Sequence, residues 1–421
     1  MNEEEETKPM AANSFPESFD DYMRNLWRSF LATFGALQLF AVQLPTVADN
    51  LDNQIIDELA EVMADVFGDP IEQVRDELRE FLPSLDEDHL YPDFYNQPDV
   101  RAIFAEFKST SFQRRVLRWL GENPRKSHRF LFAWADYMAQ PPMSGIVLRQ
   151  SALINLASAL EIFVDALIKG YGHYQSPDKK VEELHSWKMR WKKLDEILCS
   201  DVSWHRFRSP LMEMIARRNV LVHQGGKIDD AYLKYAPENY HPKNAEIDRF
   251  ILVPTTYLQE TFDTVILFVF ALSQSAWHTW QQSQTPKHVS EITKSFIYQV
   301  LRQGKYRLVV ELAQIAIQFK MHWANKQYVL INWAIALRQQ NDLDGMRLIL
   351  AQLEGKKKRA WQIEIAVNIL RKNNTKARSL MLAAAKKNQL KEISPYWPLF
   401  EPVRDQTWFK NMFAVKYGDL P

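Results

Sequence analysis

The chain has one cysteine, Cys199, among 421 residues. One thiol cannot close an intramolecular disulfide, and such usage fits a reducing compartment, so we expect a cytoplasmic protein. It also removes zinc ribbons and fingers built on cysteine pairs. Glycine is scarce, at 12 positions. Together with several long apolar patterns of 3.6-residue period, that scarcity predicts an all-α protein. Long apolar runs are missing too. The longest uncharged run, Ser29 to Ala48, carries Thr33, Gly35, Gln38 and Gln43 and is interrupted by Pro45. Its helical part is too short to span a bilayer, which predicts a buried helix and no membrane partner. The opening residues, Met1-Asn2-Glu3-Glu4-Glu5-Glu6, are the opposite of the basic start of a signal peptide.

Basic charge is what the first hundred residues lack. They hold 23 Asp/Glu against five Lys/Arg, a balance of −18, while the whole chain is neutral, which leaves +18 on the rest. A basic remainder suits a polyanion, and an acidic leader can repel that polyanion or cover the same surface. Two solvated helical faces with no functional relation would give the same balance.

What is present falls into three helical segments after an acidic tail, residues 1–13, whose composition predicts disorder. Residues 14–143 read as an acidic helical N-terminal domain. Ser18-Phe19-Asp20-Asp21 starts a first helix with Tyr22, Leu26, Phe30, Phe34 and Leu37 along its buried stripe. Ile55, Leu59, Val62, Met63 and Val66 mark a second, ending near Gly68. Asp69-Pro70 offers a cap and an N1 proline for a third through Ile71, Val74 and Leu78. Shorter helices follow through Phe104, Val116 and Phe130, up to the break at Gln140-Pro141-Pro142-Met143-Ser144-Gly145. Residues 144–283 form a helical bundle whose last helix runs from Thr255 to Gln281. Over residues 288–421 helix pairs recur, with turns at Gly304, Asn341-Asp342-Leu343 and Asn373-Asn374. Their spacing and small contact residues resemble tetratricopeptide-type repeats, which implies a C-terminal α-solenoid offering an extended face to a protein partner or trigger. The third pair is basic, with Lys356, Lys357, Lys358, Arg359, Arg371, Lys372, Lys376, Arg378, Lys386, Lys387 and Lys391 against Glu364 and Glu392. Such charge tracks phosphates or keeps a solenoid soluble. The aromatic, proline-bearing tail from Tyr396 to Phe413 is expected to pack over the last repeat.

The densest chemistry lies in Arg217-Arg218-Asn219-Val220-Leu221-Val222-His223-Gln224-Gly225-Gly226. Leu211, Met214, Ile215, Leu221 and Val222 follow helical spacing, and the paired glycines supply a stop. Asn219 and His223 are one turn apart, and Arg218 lies on the side shared with the apolar stripe. Polar groups bordering a buried face are costly unless satisfied or used. Arg218-Asn219, three apolar residues and His223 resemble the Arg-x4-His signature of the HEPN superfamily. Upstream, Leu153 to Asp165, with Glu161 inside it, resembles that family's first long helix. Trp187 to Ile197 and the apolar run Phe250 to Val253 fall in matching order, so the resemblance covers roughly residues 144–283.

The resemblance implies a metal-independent endoribonuclease, needing no cofactor, that cuts RNA by 2′-hydroxyl attack and leaves a 2′,3′-cyclic phosphate. It gives His223 the acid/base role, Arg218 the phosphate clamp, Asn219 an orienting amide and Glu161 a supporting place. It also implies a homodimer bringing two motifs together, and a role as a toxin or anti-phage effector. The charge division adds a separate expectation: the acidic N-terminal domain sits on the basic cleft and holds the enzyme in check until a trigger moves it. Arg217, Lys188, Arg190, Lys192 and Lys193 are candidates for guiding RNA; equally, the Trp187–Lys193 segment is an amphipathic helix with snorkelling lysines. The competing class is a non-catalytic scaffold that dimerises or binds nucleotide and recruits a protein through its repeats.

Overall fold

The structure, a computed structural model, describes residues 16, 18–67, 70–73, 75–76, 144–176, 183–198, 204–242, 245–281, 287–354, 360–390 and 394–417. The acidic tail, the short helices expected through Phe104, Val116 and Phe130, Cys199 and the basic run Lys356–Arg359 lie outside the described residues. Among the described residues every regular element is helical, and the one extended pairing is an isolated antiparallel bridge between Lys227 and Phe250. The protein is all-α.

The first two expected helices are one. Helix α1 runs from Phe19 to Phe67 without a break, straight through Pro45. An interior proline removes one backbone hydrogen bond and costs about 3 kcal/mol. Packing on both sides of it outweighs that cost: Phe19, Met23, Trp27, Phe30 and Phe34 are buried before it, and Ala60 and Ala64 after it. Spacings of three and four residues put these side chains on one stripe.

Later helices are α2 (Ser144–Gln175), α3 (Trp187–Ile197), α4 (Arg208–His223), α5 (Asp230–Tyr235) and α6 (Thr255–Gln281). They are followed by α7 (Lys287–Arg302), α8 (Tyr306–Gln318), α9 (Trp323–Gln339), α10 (Leu343–Glu354), α11 (Trp361–Leu370), α12 (Asn374–Lys386) and α13 (Thr407–Tyr417). Spatial grouping does not follow chain order. One compact unit comprises Leu26–Val164 with Phe207–Thr264, and the other Met1–Asn25 with Asp165–Arg206 and Val265–Pro421.

In the first unit, the Phe30 ring meets Phe163 edge-on at 5.1 Å and Phe34 meets Phe262 at 5.4 Å. Residues from α1, α2 and α6 thus share one aromatic core. Helix α2 contains the stretch Leu148–Gln175, long and apolar enough to cross a membrane. Its Leu153, Leu156, Leu160 and Phe163 are buried in protein, so a membrane span is not indicated.

In the second unit, Ser18 starts α1 by accepting the Asp21 backbone N–H at 3.1 Å. Phe19 packs on Trp280 at 4.4 Å, and the Tyr22 hydroxyl donates to the Ala166 carbonyl at 2.6 Å. Burial, reinforced by neighbouring Tyr174, pushes the Tyr22 hydroxyl up to about 12. A side chain on Gly170 would place its Cβ 2.1 Å from the Tyr22 ring, so a glycine is what lets α1 approach α2 here.

Helices α7 to α12 of the same unit form three successive pairs. Helix α9 packs on α7, α8, α10 and α11, and α11 packs on α12. One capping pattern recurs at the C-termini of α7, α9, α11 and α12. Gly304, Asn341, Lys372 and Asn388 each adopt positive φ, between 56° and 73°. The next backbone N–H then reaches five residues back, as in Asp342 to Leu337, Asn373 to Asn368 and Gln389 to Ala384. Asp342 and Asn373 go on to cap the following helix, accepting from the N–H groups of Gly345 and Lys376. The aromatic tail covers α9 and α11, where Trp397 donates to the Asn332 side chain at 3.1 Å.

Two stability measurements follow. Gly170→Ala should cost about 1–3 kcal/mol by overpacking, read as a lower urea midpoint. The loss should shrink when Tyr22→Leu removes the ring's hydroxyphenyl edge; an equal loss in both backgrounds contradicts the contact. Lys372→Gly should stabilise by up to about 1 kcal/mol, because a left-handed conformation strains a lysine and suits glycine.

Candidate active site

Helix α4 carries the Arg-Asn-x3-His stretch. Pro210 sits in its first turn, where a missing N–H is harmless, and Gly225 and Gly226, at φ of 60° and 88°, end it. The Gly226 N–H closes that end by donating to the Val220 carbonyl at 3.1 Å. The chain then returns: Ile251 donates to Gly226, and Ile228 to Arg249, both at 2.8 Å. This loop buries Ile228, Tyr232, Ala236 and Ile251 on Ala216 and Val220 of α4.

Beneath that layer lies a buried ion pair. Arg217 is 4% exposed and Glu213 2%. The Arg217 Nε donates to Glu213 Oε1 at 2.8 Å, and its guanidinium also donates to the Leu252 carbonyl. Glu213 further accepts from the Tyr232 hydroxyl at 2.8 Å and the Tyr257 hydroxyl at 2.6 Å. The Arg217 guanidinium stacks 3.9 Å from the centre of the Tyr257 ring. Both carboxylate oxygens and the cation thus have close partners, the condition under which a buried pair is tolerated. Burial opposes the charge of Arg217, but Tyr257, Glu213 and Tyr232 outweigh it and raise its pKa. Burial raises the hydroxyl pKa of Tyr257, the nearby Arg217 cation opposes, and Glu213 adds to the rise.

The neighbouring side chains face outward. Arg218 is half-buried, and its Nη1 donates to Asn219 Oδ1 at 3.1 Å. Asn219 and His223 are exposed. Among the described residues no carboxylate pairs with Arg218 or His223. Val222, expected on the apolar stripe, is 43% exposed, and Arg217 occupies the inner face instead. The structure therefore brings Arg218 and Asn219 together directly, with His223 one turn beyond on the same helix. Glu161 is half-buried on α2.

Two candidates for guiding RNA are unsuited to it. Arg217 is locked in the core as described. Arg190, 4% exposed, holds Asp165 through two hydrogen bonds of 2.7 and 2.8 Å. The remaining candidates stay at the surface: Lys188 and Lys192 are exposed, and Lys193 pairs with Glu196 at 2.8 Å. Trp191 of the same helix stacks on Trp204 and meets Phe268 edge-on, so α3 buries Trp191 and Leu194 while Lys188 and Lys192 face water, an amphipathic helix. Among the described residues no group of three His, Cys, Asp or Glu side chains is placed to hold a metal ion.

Glu213, Tyr232 and Tyr257 escaped the sequence analysis. A glutamate four residues before an arginine on a helix was the available signal for the first. No family model, curated protein or solved structure matches the chain.

Removing one partner of a buried pair strands the other, so Glu213→Ala should cost about 3–5 kcal/mol in equilibrium unfolding. A loss under about 1 kcal/mol contradicts the pairing. The raised tyrosines set an alkaline limit. Above about pH 10 the unfolded chain releases hydroxyl protons that the native state still holds, so stability must fall as pH rises. Tyr257→Phe should make that fall shallower, measured as urea midpoints between pH 8 and 11.

Proposed function

We propose that the protein is a metal-independent endoribonuclease working as a cytoplasmic homodimer, with stacked C-terminal repeats that receive a partner or trigger. The observation that supports it is the division of labour between adjacent arginines. Arg217 is fixed in the core, while Arg218 meets Asn219 on the outer side of α4, one turn before an exposed His223. A helix held by a buried ion pair makes a rigid platform for groups that must meet a substrate within a fraction of an ångström.

The chemistry needs no metal. The His223 imidazole takes the proton from an RNA 2′-hydroxyl. The 2′-oxygen attacks the adjacent phosphorus, the bond to the 5′-oxygen breaks, and that oxygen leaves with a proton from an imidazolium. Arg218 holds the non-bridging oxygens as their charge grows, and Asn219 orients the phosphate or the ring. The products are a 2′,3′-cyclic phosphate and a 5′-hydroxyl. In a dimer a second copy of the motif supplies the second imidazole. Glu161 is assigned a supporting polar role. Growth arrest by RNA cleavage, as in toxin and anti-phage systems, is the biological setting that fits.

The acidic N-terminal segment is proposed to restrain the enzyme. Deleting residues 1–140 would not isolate that effect, because it removes the α1 residues Phe30 and Phe34 from the core. Neutralising Asp86, Glu87, Asp88, Asp93 and Asp99 spares α1 and should raise cleavage; unchanged cleavage refutes restraint.

The direct test incubates total RNA with purified wild type, Arg218→Ala and His223→Ala in EDTA. Each substitution should slow cleavage at least about a hundredfold while leaving the unfolding midpoint within error, since both side chains make few core contacts. Equal cleavage by wild type and His223→Ala refutes the mechanism. Absence of cleavage by a folded wild type favours the scaffold.

A further inference from the structure

The second helices of the three C-terminal pairs, α8, α10 and α12, serve as controls for one another. On α8, Arg307 pairs with Glu311 at 3.9 Å, and Arg206 reaches the same glutamate at 3.4 Å. On α10, Arg347 pairs with Asp344 at 2.7 Å. Those are ordinary solvated faces of mixed sign. Helix α12 differs. From Ile365 to Leu390 the sequence has no Asp or Glu. Lys376, Arg378 and Lys386 of α12, with Lys372 and Lys387 in its flanking turns, are all exposed. Among the described residues none of these five has a carboxylate partner.

Two of the cations sit where a helix tolerates them least. Lys376 lies in the first turn of α12 and Lys372 just before it, at the positive end of the helix dipole. Lys372 also holds the left-handed turn position that Gly304 and Asn341 fill in the two preceding pairs. Solubility alone would be served by lysines at easier positions. The buried stripe of Ala377, Met381 and Ala384 fixes the helix, so the cations project from a rigid support.

We propose that this face of α12 binds the phosphate backbone of single-stranded RNA. Five exposed cations, without a carboxylate partner among the described residues and spread over about four helical turns, match a run of phosphates, and no acidic or large aromatic group on the helix would select a base or a basic partner. The surface holds substrate RNA irrespective of sequence, and it rests on the proposed ribonuclease reading for the identity of its ligand. Selectivity for a cleavage site is left to the residues around His223.

The test measures binding of a fluorescein-labelled single-stranded 30-mer RNA to the full chain carrying His223→Ala, which prevents cleavage during the titration. A second chain adds Lys372→Gln, Lys376→Gln, Arg378→Gln, Lys386→Gln and Lys387→Gln. Each lost phosphate contact should reduce the slope of log affinity against log salt by about 0.7, so the slope should shrink by about 2–3.5. Affinity at 0.1 M KCl should drop at least tenfold, with helicity and unfolding midpoint retained. Equal affinity and slope for the two chains overturn the proposal, as does binding of both to vesicles of 70% phosphatidylcholine and 30% phosphatidylserine more tightly than to RNA. RNA binding that depends on α12 in a protein that cuts no RNA would uphold the surface and remove only the nuclease.

Discussion

One buried carboxylate fixes the candidate site. Glu213 accepts from Arg217, Tyr232 and Tyr257, and in doing so ties α4 to α5 and to the start of α6. Taking a carboxylate and a guanidinium out of water is costly, and the net benefit of such a pair over an apolar core is small at best. What it provides is position. Hydrogen bonds of fixed direction from the pair to Tyr232, Tyr257 and the Leu252 carbonyl leave α4 little freedom to rotate, and a rotation of one residue would carry Arg218 into the core and Arg217 out of it. Everything proposed for Arg218, Asn219 and His223 depends on that orientation being kept.

Three buried polar side chains of the second unit find partners in the same way. Asp165 answers Arg190, Asn332 answers the Trp397 indole, and Thr293 answers Gln274. Repeated C-terminal caps with left-handed residues end each first helix of the pairs and let the next begin within a few residues. Each of these turns joins the two helices of a pair through three residues. Against this regular background the unbalanced charge of α12 is a departure that needs a ligand, or costs stability for nothing.

Much of the helical pattern was legible in the sequence because apolar spacing and turn chemistry agree. Ser18 and the paired glycines after His223 mark ends that the structure shows. Pro45 misled: a local breaker suggested two helices where burial of Phe19, Met23, Trp27, Phe30 and Phe34, and of Ala60 and Ala64, sustains one. At the site, the outward Asn219 and His223 follow from helical geometry. The inner face was less readable. Arg217 and Arg218 are chemically identical, and only the Glu213 side chain, with tyrosines 19 and 44 residues further on, decides which goes inside. Such long-range partners leave no periodic trace. Grouping of the chain into units that cross its order escaped the sequence for the same reason: α1, α2 and α6 look uniform along their lengths while packing differently at their two ends.

The proposed cleavage of RNA by His223 and Arg218 is a transesterification, and the chemistry of the new RNA ends decides whether it occurs. Mapping termini after induced expression should reveal upstream fragments ending in a 2′,3′-cyclic phosphate and downstream fragments starting with a 5′-hydroxyl, all absent with His223→Ala. Downstream ends carrying a 5′-phosphate, or the same ends in the His223→Ala strain, would contradict it.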